Sequence, residues 1–237
     1  LGSYDEWLSL HDGSDQHAKV DDFIDNLDYQ PLISIILPTY NSNLDYLIPA
    51  IESVRGQSYP NWQLCIADDA STDKNLKNYL NGLGKDEKIS VTFRDTNGHI
   101  SAATNSALSL ASGEFVTFLD HDDKLHLHAL SAVVGALNED EDLDILYSDE
   151  DKIDEQGNRS EPFFKPDWSP DLLLSQNYTC HLSVYRKTLL EKLTGLREGT
   201  EGAQDYDLML RATEQTDKIQ HIPHVLYHWR AVSGSTA

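Results

Sequence analysis

Short apolar runs recur along the chain from Pro31 onward, separated by turn residues and polar segments. They lie at residues 33–37, 63–67, 90–93, 115–119 and 143–147. A short apolar run bounded by turn residues is typical of a strand that is buried on both faces. The pattern therefore predicts five buried strands.

Between these runs, apolar side chains recur at the three- and four-residue spacing of an amphipathic helix. The sets are Leu44, Leu47, Ile48 and Ile51; Leu76, Tyr79, Leu80 and Leu83; and Leu130, Val133, Val134 and Leu137. The alternation of strands and helices predicts an α/β fold, with a mostly parallel central sheet and helices on both of its faces. Because Pro49 lies inside the first set, we expect that helix to begin near residue 47, where a proline in the first turn is tolerated.

The pattern loosens after residue 150. Pro162, Pro166 and Pro170 interrupt an aromatic segment, and two short helical patterns follow at 187–193 and 206–214. We interpret this half as an elaboration on the same sheet rather than a free domain.

The expected domain organisation follows from these differences in the hydropathy pattern along the chain. Residues 31–237 are expected to form one domain. Residues 1–30 are acidic with scattered apolar positions, and are expected to form an extension, helical in part, outside the core.

The charge balance is strongly acidic: 18 Lys and Arg residues stand against 40 Asp and Glu residues, a formal net charge of −22. Nucleic-acid binding relies on clustered Lys and Arg, so we expect no nucleic-acid partner.

Cys65 and Cys180 lie far apart without CxxC spacing, which argues against a zinc site or a disulfide framework and favours a reducing compartment. The hydropathy pattern predicts neither a transmembrane segment nor a signal peptide.

Polar residues follow four of the predicted strands. They are residues 38–41, 68–69, 120–123 and 148–151, and the last three groups are acidic. In a parallel sheet the carboxyl ends of the strands share one edge, where ligands bind. Crowded carboxylates raise one another's pKa unless a cation lies among them, so we expect Mg²⁺ or Mn²⁺ at this edge. For any one cluster a simpler interpretation stays open, because Asp commonly ends strands and begins turns.

The Asp-His-Asp-Asp sequence at 120–123 is the sharpest of these signals. Alternate residues at a strand end can place one carboxylate on a metal and the other on a hydroxyl or a metal-bound water. An Asp-x-Asp triplet recurs by chance in a chain this acidic. Its position directly after a buried strand is what makes it a stronger indication of a site.

Five ordered motifs, PTYN, ADDAST, NGHISAATNSAL, LDHDD and GAQDYDLMLR, resemble those of family 2 glycosyltransferases with the GT-A fold. The segments LYSDEDKID, FKPDWSPDLL and IPHVLYHWR resemble a bacterial branch that builds O-antigen, rhamnan and similar surface polysaccharides. The resemblance implies a Rossmann-like GT-A domain in which residues 31–150 bind a nucleotide sugar and residues 151–237 bind the acceptor. Because the chain ends directly after the last motif, we expect a catalytic domain excised from a longer protein with other domains.

The resemblance also implies which residues hold the nucleotide. Tyr40 and Asp69 match positions that hold the base, the first by stacking and the second by accepting its imide N–H. Asp120 matches the position near the ribose. The other matches beside the nucleotide are Pro38, Asn41, Asn97, Gly98, Ser101, Asn105 and Arg230. Backbone N–H groups at such a helix start suit an anion, and Arg230 could neutralise the diphosphate, but an ordinary turn at Asn97-Gly98 stays an alternative.

Metal-binding and catalytic roles are implied in the same way. Asp122 matches a metal ligand, and His228 matches a position where related enzymes supply a second one. Asp205 matches the catalytic base, a carboxylate that takes the proton of the attacking hydroxyl. The matches on the sugar and acceptor side are Glu150, Asp151, His181 and Gln204. Ordinary structural roles stay open for these positions, namely a helix cap for Asp205 and a core or surface histidine for His228.

The implied function is an inverting, metal-dependent transfer of a sugar from a UDP- or dTDP-sugar to a glycan hydroxyl, on a free or lipid-linked acceptor. The implied location is cytoplasmic, with any contact to the inner face of the membrane made through other domains or partners. Two alternatives stay open. One is a non-catalytic glycan-binding or scaffolding domain of the same fold. The other is a metal-dependent phosphotransfer domain, which would require a Lys and a Ser or Thr at later strand ends that are acidic here.

Overall fold

The computed structural model of the protein describes residues 3–12, 24 and 26–231. Its strands are β1 (Ile33–Thr39), β2 (Trp62–Asp68), β3 (Ile89–Phe93), β4 (Phe115–Phe118), β5 (Lys124–Leu125), β6 (Ile145–Ile153), β7 (Arg159–Phe163), β8 (Ser183–Arg186) and β9 (Ile219–Arg230). Its helices are α1 (Tyr4–His11), α2 (Leu44–Arg55), α3 (Lys74–Leu83), α4 (His99–Leu108), α5 (Ala129–Glu139), α6 (Pro170–Leu173), α7 (Lys187–Lys192) and α8 (Gln204–Thr213).

The strands of the described residues join one sheet, in the spatial order β3-β2-β1-β4-β8-β6-β9-β5, with β7 added beside β6. β1 pairs in parallel with β2 and β4, and β2 pairs in parallel with β3. β8 enters antiparallel between β4 and β6, and β9 runs parallel to β6. The predicted α/β fold is confirmed, and strands from the second half of the chain extend the same sheet.

Helices cover both faces of the sheet, because successive strand residues point to opposite sides. On β1, the fully buried Ile35 belongs to a core shared with α2, α3 and α5. Its neighbour Ile36, also fully buried, belongs to a second core shared with α4, α7 and α8. None of the described helices is long and apolar enough to cross a lipid bilayer.

The first amphipathic helix begins earlier than the sequence predicts. The expectation of a start near residue 47 is wrong, since α2 begins at Leu44 and contains Pro49 in its interior. Asn43 caps the helix: its side chain accepts the N–H of Asp45, and its carbonyl accepts the N–H of Leu47. The proline removes the bond to the carbonyl of Asp45, an exposed residue whose carbonyl can bond to water instead.

The fifth predicted strand extends further than its apolar run. The pattern predicts an end at Tyr147 followed by a polar loop, but β6 continues to Ile153. Both edges of this segment are paired, with β7 on one side and β9 on the other. Its polar side chains have partners, since Asp149 lies 2.8 Å from His221 Nε2 and Asp151 accepts a bond from Arg159. Residues 149–151 therefore lie within a strand rather than after it.

Part of the acidic N-terminal segment is helical, and α1 contacts the sheet. Ser3 and Glu6 form a capping box at its start. The hydroxyl of Tyr4 donates to Asp151 over 2.6 Å, and Asp12 is bound by Arg159. The other acidic positions of this segment at residues 13–23 and 25 lie outside the described residues.

We predict that Ile35→Ala lowers the free energy of unfolding by about 2–5 kcal/mol, because it opens a cavity in a close-packed core. Ile48→Ala is the matched control, since this isoleucine of α2 is 38% exposed; its effect should be below about 1 kcal/mol. Urea titration followed by circular dichroism measures both. Equal effects would contradict the assignment of Ile35 to the core.

Candidate active site

Two adjoining cavities open at the carboxyl ends of β1, β2 and β4. The larger, of about 480 Å³, is lined by Tyr40, Asp69 and other residues of the strand ends. The smaller, of about 70 Å³, is lined by Asp205 among others. Both are lined by Pro38, Ile100 and Asp120, so the two cavities meet at these residues.

The segments after β1 and β2 are bonded to each other at the edge of the larger cavity. Asn41 adopts a left-handed conformation, with φ of 45°. Its N–H donates to Ser71 Oγ over 2.7 Å, and its side-chain oxygen accepts the N–H of Thr72 over 2.8 Å. Asn41 thus fixes the turn that carries Tyr40, whose residue surface is 52% exposed.

Asp69 holds the loop before α4. Its buried carboxylate accepts Arg94 Nε over 2.7 Å and the N–H of Gly98 over 3.0 Å. Asn97 Nδ2 also donates to the carbonyl of Asp69, over 3.4 Å. Because a carboxylate has about four lone-pair positions, Asp69 keeps some capacity for a further donor.

The acidic segment 120–123 follows β4 and is held by β9. Asp123 is 1% exposed, and its carboxylate accepts the Tyr227 hydroxyl and the N–H of Arg230, each over 2.7 Å. The N–H of Asp120 donates to the same Tyr227 hydroxyl over 3.2 Å. The conformation of this loop therefore depends on a strand located about a hundred residues further along the chain.

Burial and neighbouring carboxylates raise the pKa values of two aspartates in this segment. Burial, and to a lesser degree the nearby charges of Asp122 and Asp205, raise the pKa of Asp120. Burial and the charge of Asp120 raise the pKa of Asp123 to about 7. Such shifts are typical of carboxylates gathered where a cation binds.

His181 lies between the acidic segment and a buried ion pair. Its ring stacks on Tyr227 with a centroid distance of 4.5 Å. Its Nε2 lies 3.8 Å from Asp120, and its Nδ1 lies 3.6 Å from Glu150. Lys165, whose side chain is fully buried, donates to Glu150 over 3.0 Å and also to the carbonyl of His181.

This ion pair sets the protonation of its members. Burial alone would raise the pKa of Glu150, but hydrogen bonds and charges from His181 and Lys165 lower it to about 2. Burial alone would also lower the pKa of His181, but Cys180 and Glu150 beside it raise that pKa well above its ordinary value. Glu150 is therefore ionised throughout the physiological range.

Asp205 is the second residue of α8 and lines the smaller cavity. One of its oxygens, Oδ2, accepts Asn177 Nδ2 over 2.8 Å and the thiol of Cys180 over 2.6 Å. A carboxylate at this place can accept a proton from a hydroxyl that enters the cavity.

Residues 34–194 match the family model described as glycosyl transferase family 2. The chain belongs to this family. The expected resemblance, and with it the assignment to an enzyme family of glycosyltransferases, is confirmed.

Two relatives of this family 2 chain are much longer proteins. O-antigen biosynthesis protein RfbC of Myxococcus xanthus is 40% identical over 238 residues, which cover 100% of this chain and 19% of that protein. An uncharacterized protein of Sinorhizobium fredii is 47% identical over 223 residues, which cover 93% of this chain and 24% of that protein. The chain thus spans a quarter or less of the length of these two relatives.

A solved structure supports the fold. The S. aureus TarS 1-349 structure in complex with UDP matches with a TM-score of 0.71 and 26% sequence identity, covering 84% of this chain and 60% of TarS 1-349. The predicted GT-A fold is confirmed by this match.

The structure brings together many of the residues that the family resemblance implies. The joined cavities are lined by Pro38, Tyr40, Asp69, Asn97, Asp120, His181, Gln204 and Asp205. Gly98 lies beside them, with its N–H on Asp69, and Asn41 lies behind Tyr40.

Three other predicted nucleotide-binding residues, Ser101, Asn105 and Arg230, do not line these two cavities. The side-chain amide of Asn105 bonds to both the N–H and the carbonyl of Leu196. Ser101 is fully buried within α4. Arg230 is 4% exposed and donates to the carbonyls of Asp122 and Asp154, so its guanidinium group holds the acidic segment. Their roles toward a nucleotide stay predictions.

The predicted metal ligands Asp122 and His228 lie on neighbouring elements. His228 is opposite Lys124 of β5, the strand that follows the acidic segment directly. Its Nδ1 lies 2.6 Å from Asp151, the arrangement in which a carboxylate orients a metal-binding imidazole. The structure adds a second group, since ligand atoms of Asp120, Asp123 and His181 all lie within 4.8 Å of one another.

This donor set fits a hard divalent cation. Carboxylate oxygens suit Mg²⁺ and Mn²⁺, and imidazole is accepted by transition metals. Among the described residues, no Lys or Arg forms an ion pair with Asp120 or Asp122; their nearest basic groups are the imidazoles of His181, 3.8 Å from Asp120, and His121, 3.9 Å from Asp122.

Sequence reasoning missed several residues of this family 2 site. Arg94 directly follows β3, so the rule that ligand-facing residues follow strands could have identified it. Lys165, Asn177 and Cys180 lie in loops, and only the tertiary structure brings them to the site.

We predict that ionised Glu150 stabilises the folded protein and that acid removes this contribution. Its pKa is lowered in the folded state, so its contribution is present above the ordinary glutamate pKa and is lost as the pH falls toward about 2. The stability difference between the wild type and Glu150→Gln, on the order of 3 kcal/mol at neutral pH, should therefore shrink between pH 4.5 and 2. Urea titrations across this range measure it.

The matched control is Glu161→Gln, since that side chain is 70% exposed and should give a small, pH-independent effect. A stability difference for Glu150→Gln that stays constant down to pH 2 would contradict the assignment of a buried ion pair.

Proposed function

We propose that the chain transfers a sugar, with inversion, from a UDP- or dTDP-sugar to a glycan hydroxyl in the synthesis of a bacterial surface polysaccharide. The observation that carries this proposal is the meeting of the two cavities at Asp120. A donor whose nucleotide lies in the larger cavity would present its sugar at Asp120, beside the cavity that contains Asp205. Similarity to an O-antigen biosynthesis protein supports a polysaccharide product.

The larger cavity suits a nucleotide. The exposed ring of Tyr40 offers a face on which a base can stack, a contact worth about 1–3 kcal/mol in nucleic-acid complexes. Asp69 offers an acceptor for a base imide N–H. The structurally similar TarS was solved in complex with UDP, which supports a uridine nucleotide as the first candidate.

A divalent cation, Mn²⁺ or Mg²⁺, would be held by Asp122 with His228, or by the neighbouring Asp120, Asp123 and His181. When bound, such an ion neutralises the negative charge that develops on the departing diphosphate. The protein's own charge of −22 adds to the need for it, because the donor is also an anion.

Asp205 would act as the base in a single displacement. Its carboxylate takes the proton of the attacking hydroxyl while the hydroxyl oxygen forms a bond to the anomeric carbon. The bond from that carbon to the diphosphate oxygen breaks at the same time, and the diphosphate leaves with the electron pair. Attack from the face opposite the leaving group inverts the anomeric centre.

The remaining residues of the site orient these groups. His181 lines the smaller cavity beside Asp120, and the buried Lys165 bonds both to Glu150 and to the carbonyl of His181. We propose that residues 31–150 bind the donor and residues 151–237 bind the acceptor, within one domain of a longer protein. Other domains of that protein would bring a lipid-linked or free glycan and any membrane contact.

We predict that UDP or dTDP binds in the presence of Mn²⁺, and that EDTA or Asp122→Asn weakens this binding by about 10- to 100-fold, as is typical when a metal site is disturbed. Isothermal titration calorimetry with UDP, dTDP and GDP measures the three affinities.

Asp142→Asn is the matched control, because this aspartate side chain is 83% exposed and should leave the affinity unchanged. Failure of all three nucleotides to bind, with or without Mn²⁺, would argue against a transferase and favour the glycan-binding or scaffolding alternative.

A further inference from the structure

We infer that Asn177 and Cys180 are positioning residues that hold the carboxylate of Asp205 in its reactive orientation. The inference rests on the proposed role of Asp205 as the base. It extends that role by assigning which of the two carboxylate oxygens is anchored and which is left for the acceptor hydroxyl.

The two donors converge on one oxygen. Asn177 Nδ2 and the thiol of Cys180 both donate to Oδ2 of Asp205, at 2.8 and 2.6 Å. No hydrogen bond from the described residues reaches Oδ1. Anchoring Oδ2 alone fixes the carboxylate plane and keeps the lone pairs of Oδ1 for an incoming hydroxyl, since an ionised carboxylate only accepts hydrogen bonds.

The position of Asp205 explains why it needs anchoring. It is the second residue of α8, and the residue before the helix, Ala203, supplies no side-chain cap. A carboxylate in the first turn of a helix is attracted to the free N–H groups of that turn. The donors from the facing loop oppose this attraction and hold the side chain toward the cavity.

The loop that carries the donors is itself held in place. Tyr178, between them, is 1% exposed, and its hydroxyl accepts the N–H of Ser169 over 2.8 Å. The hydroxyl of Ser183 donates to the carbonyl of Thr179 over 2.6 Å and to that of Cys180 over 2.9 Å. The donors therefore sit on a fixed backbone before any substrate binds, which is the condition for precise placement of a reactive group.

The orientation of the Asn177 side-chain amide follows from the negative charge of the Asp205 carboxylate that it contacts. Asn177 Oδ1 is buried without a partner among the described residues. Turning the amide over would place that oxygen against the carboxylate of Asp205 and remove the bond that its Nδ2 makes to Oδ2. Asn177 thus presents its NH₂ group to Asp205.

The test compares nucleotide release by variants of the 237-residue chain. With Mn²⁺, UDP-GlcNAc, UDP-glucose, UDP-galactose and dTDP-glucose serve as probes, and water or added sugars serve as acceptors. We expect Cys180→Ala and Asn177→Ala each to lower kcat by about 10- to 100-fold, the range for misplacement of a reacting group, with little change in KM for the donor. Cys180→Ser, whose hydroxyl can donate in place of the thiol, should restore most of the lost kcat.

Cys65→Ala is the matched control for loss of a thiol, because Cys65 is fully buried in the core beneath the sheet. It should lower thermal stability without changing kcat. The melting temperature and the UDP affinity of every variant establish that it is folded. A loss of kcat in Cys180→Ala that Cys180→Ser does not restore would overturn the assignment of the thiol.

A second readout does not depend on turnover. Crystal structures of the wild type and of the Asn177→Ala/Cys180→Ala double variant should show that Asp205 points into the cavity only in the wild type. An unchanged orientation in the double variant would overturn the inference.

Failure of the inference and failure of the proposed function are distinguishable. If Asp205→Asn abolishes nucleotide release while the alanine variants keep the wild-type kcat, the assignment of Asp205 as the base is supported. The assignment of Asn177 and Cys180 as its positioning residues is then wrong. If Asp205→Asn keeps the wild-type kcat, the proposed base is wrong, and the inference that rests on it falls as well.

Discussion

The parallel pairing of β1 with both β2 and β4 is the constraint on which the rest of the site depends. It brings the carboxyl ends of three strands to one edge of the sheet, so that Tyr40, Asp69 and Asp120 reach a common cavity from distant parts of the sequence. Their side chains are buried under helices on both faces, and a one-residue shift in register would move each side chain into the core on the opposite face, where it would not fit the packing. The geometry of the cavity is therefore a consequence of core packing.

Charge compensation is the second constraint in a chain of net charge −22. Three carboxylates near the site are each held by a cation from another element: Asp69 by Arg94, Glu150 by Lys165 and Asp151 by Arg159. These pairs fix side chains around the cavities. No Lys or Arg of the described residues pairs with Asp120 or Asp122, which lie beside the imidazoles of His181 and His121, and we propose that a divalent cation completes their environment. The carboxylates paired with Arg94, Lys165 and Arg159 thus support the structure, and the proposed cation would bind at Asp120 and Asp122.

Strands β1 to β4 could be predicted from the sequence because each is a short, mostly apolar run bounded by turn residues. The second half of β6 and the whole of β9 could not, since they carry polar residues whose partners lie on other strands. In β9, Pro223 also argues against a strand; the structure accommodates it at an irregularity in the pairing with β6, between Ile222 and Val225. The site was predictable where motifs follow strands, as for Asp120. The groups that orient it, Lys165, Asn177 and Cys180, come from loops, whose positions depend on tertiary packing.

The central claim is that the acidic segment after β4 and the cavity beside it hold a metal-bound nucleotide. Its most direct test is a crystal structure of the chain with UDP and Mn²⁺, with diffraction data collected at the manganese absorption edge. We predict one anomalous peak within bonding distance of a carboxylate of residues 120–123, with the uracil ring against Tyr40. A nucleotide bound elsewhere, or an anomalous peak remote from these carboxylates, would contradict it.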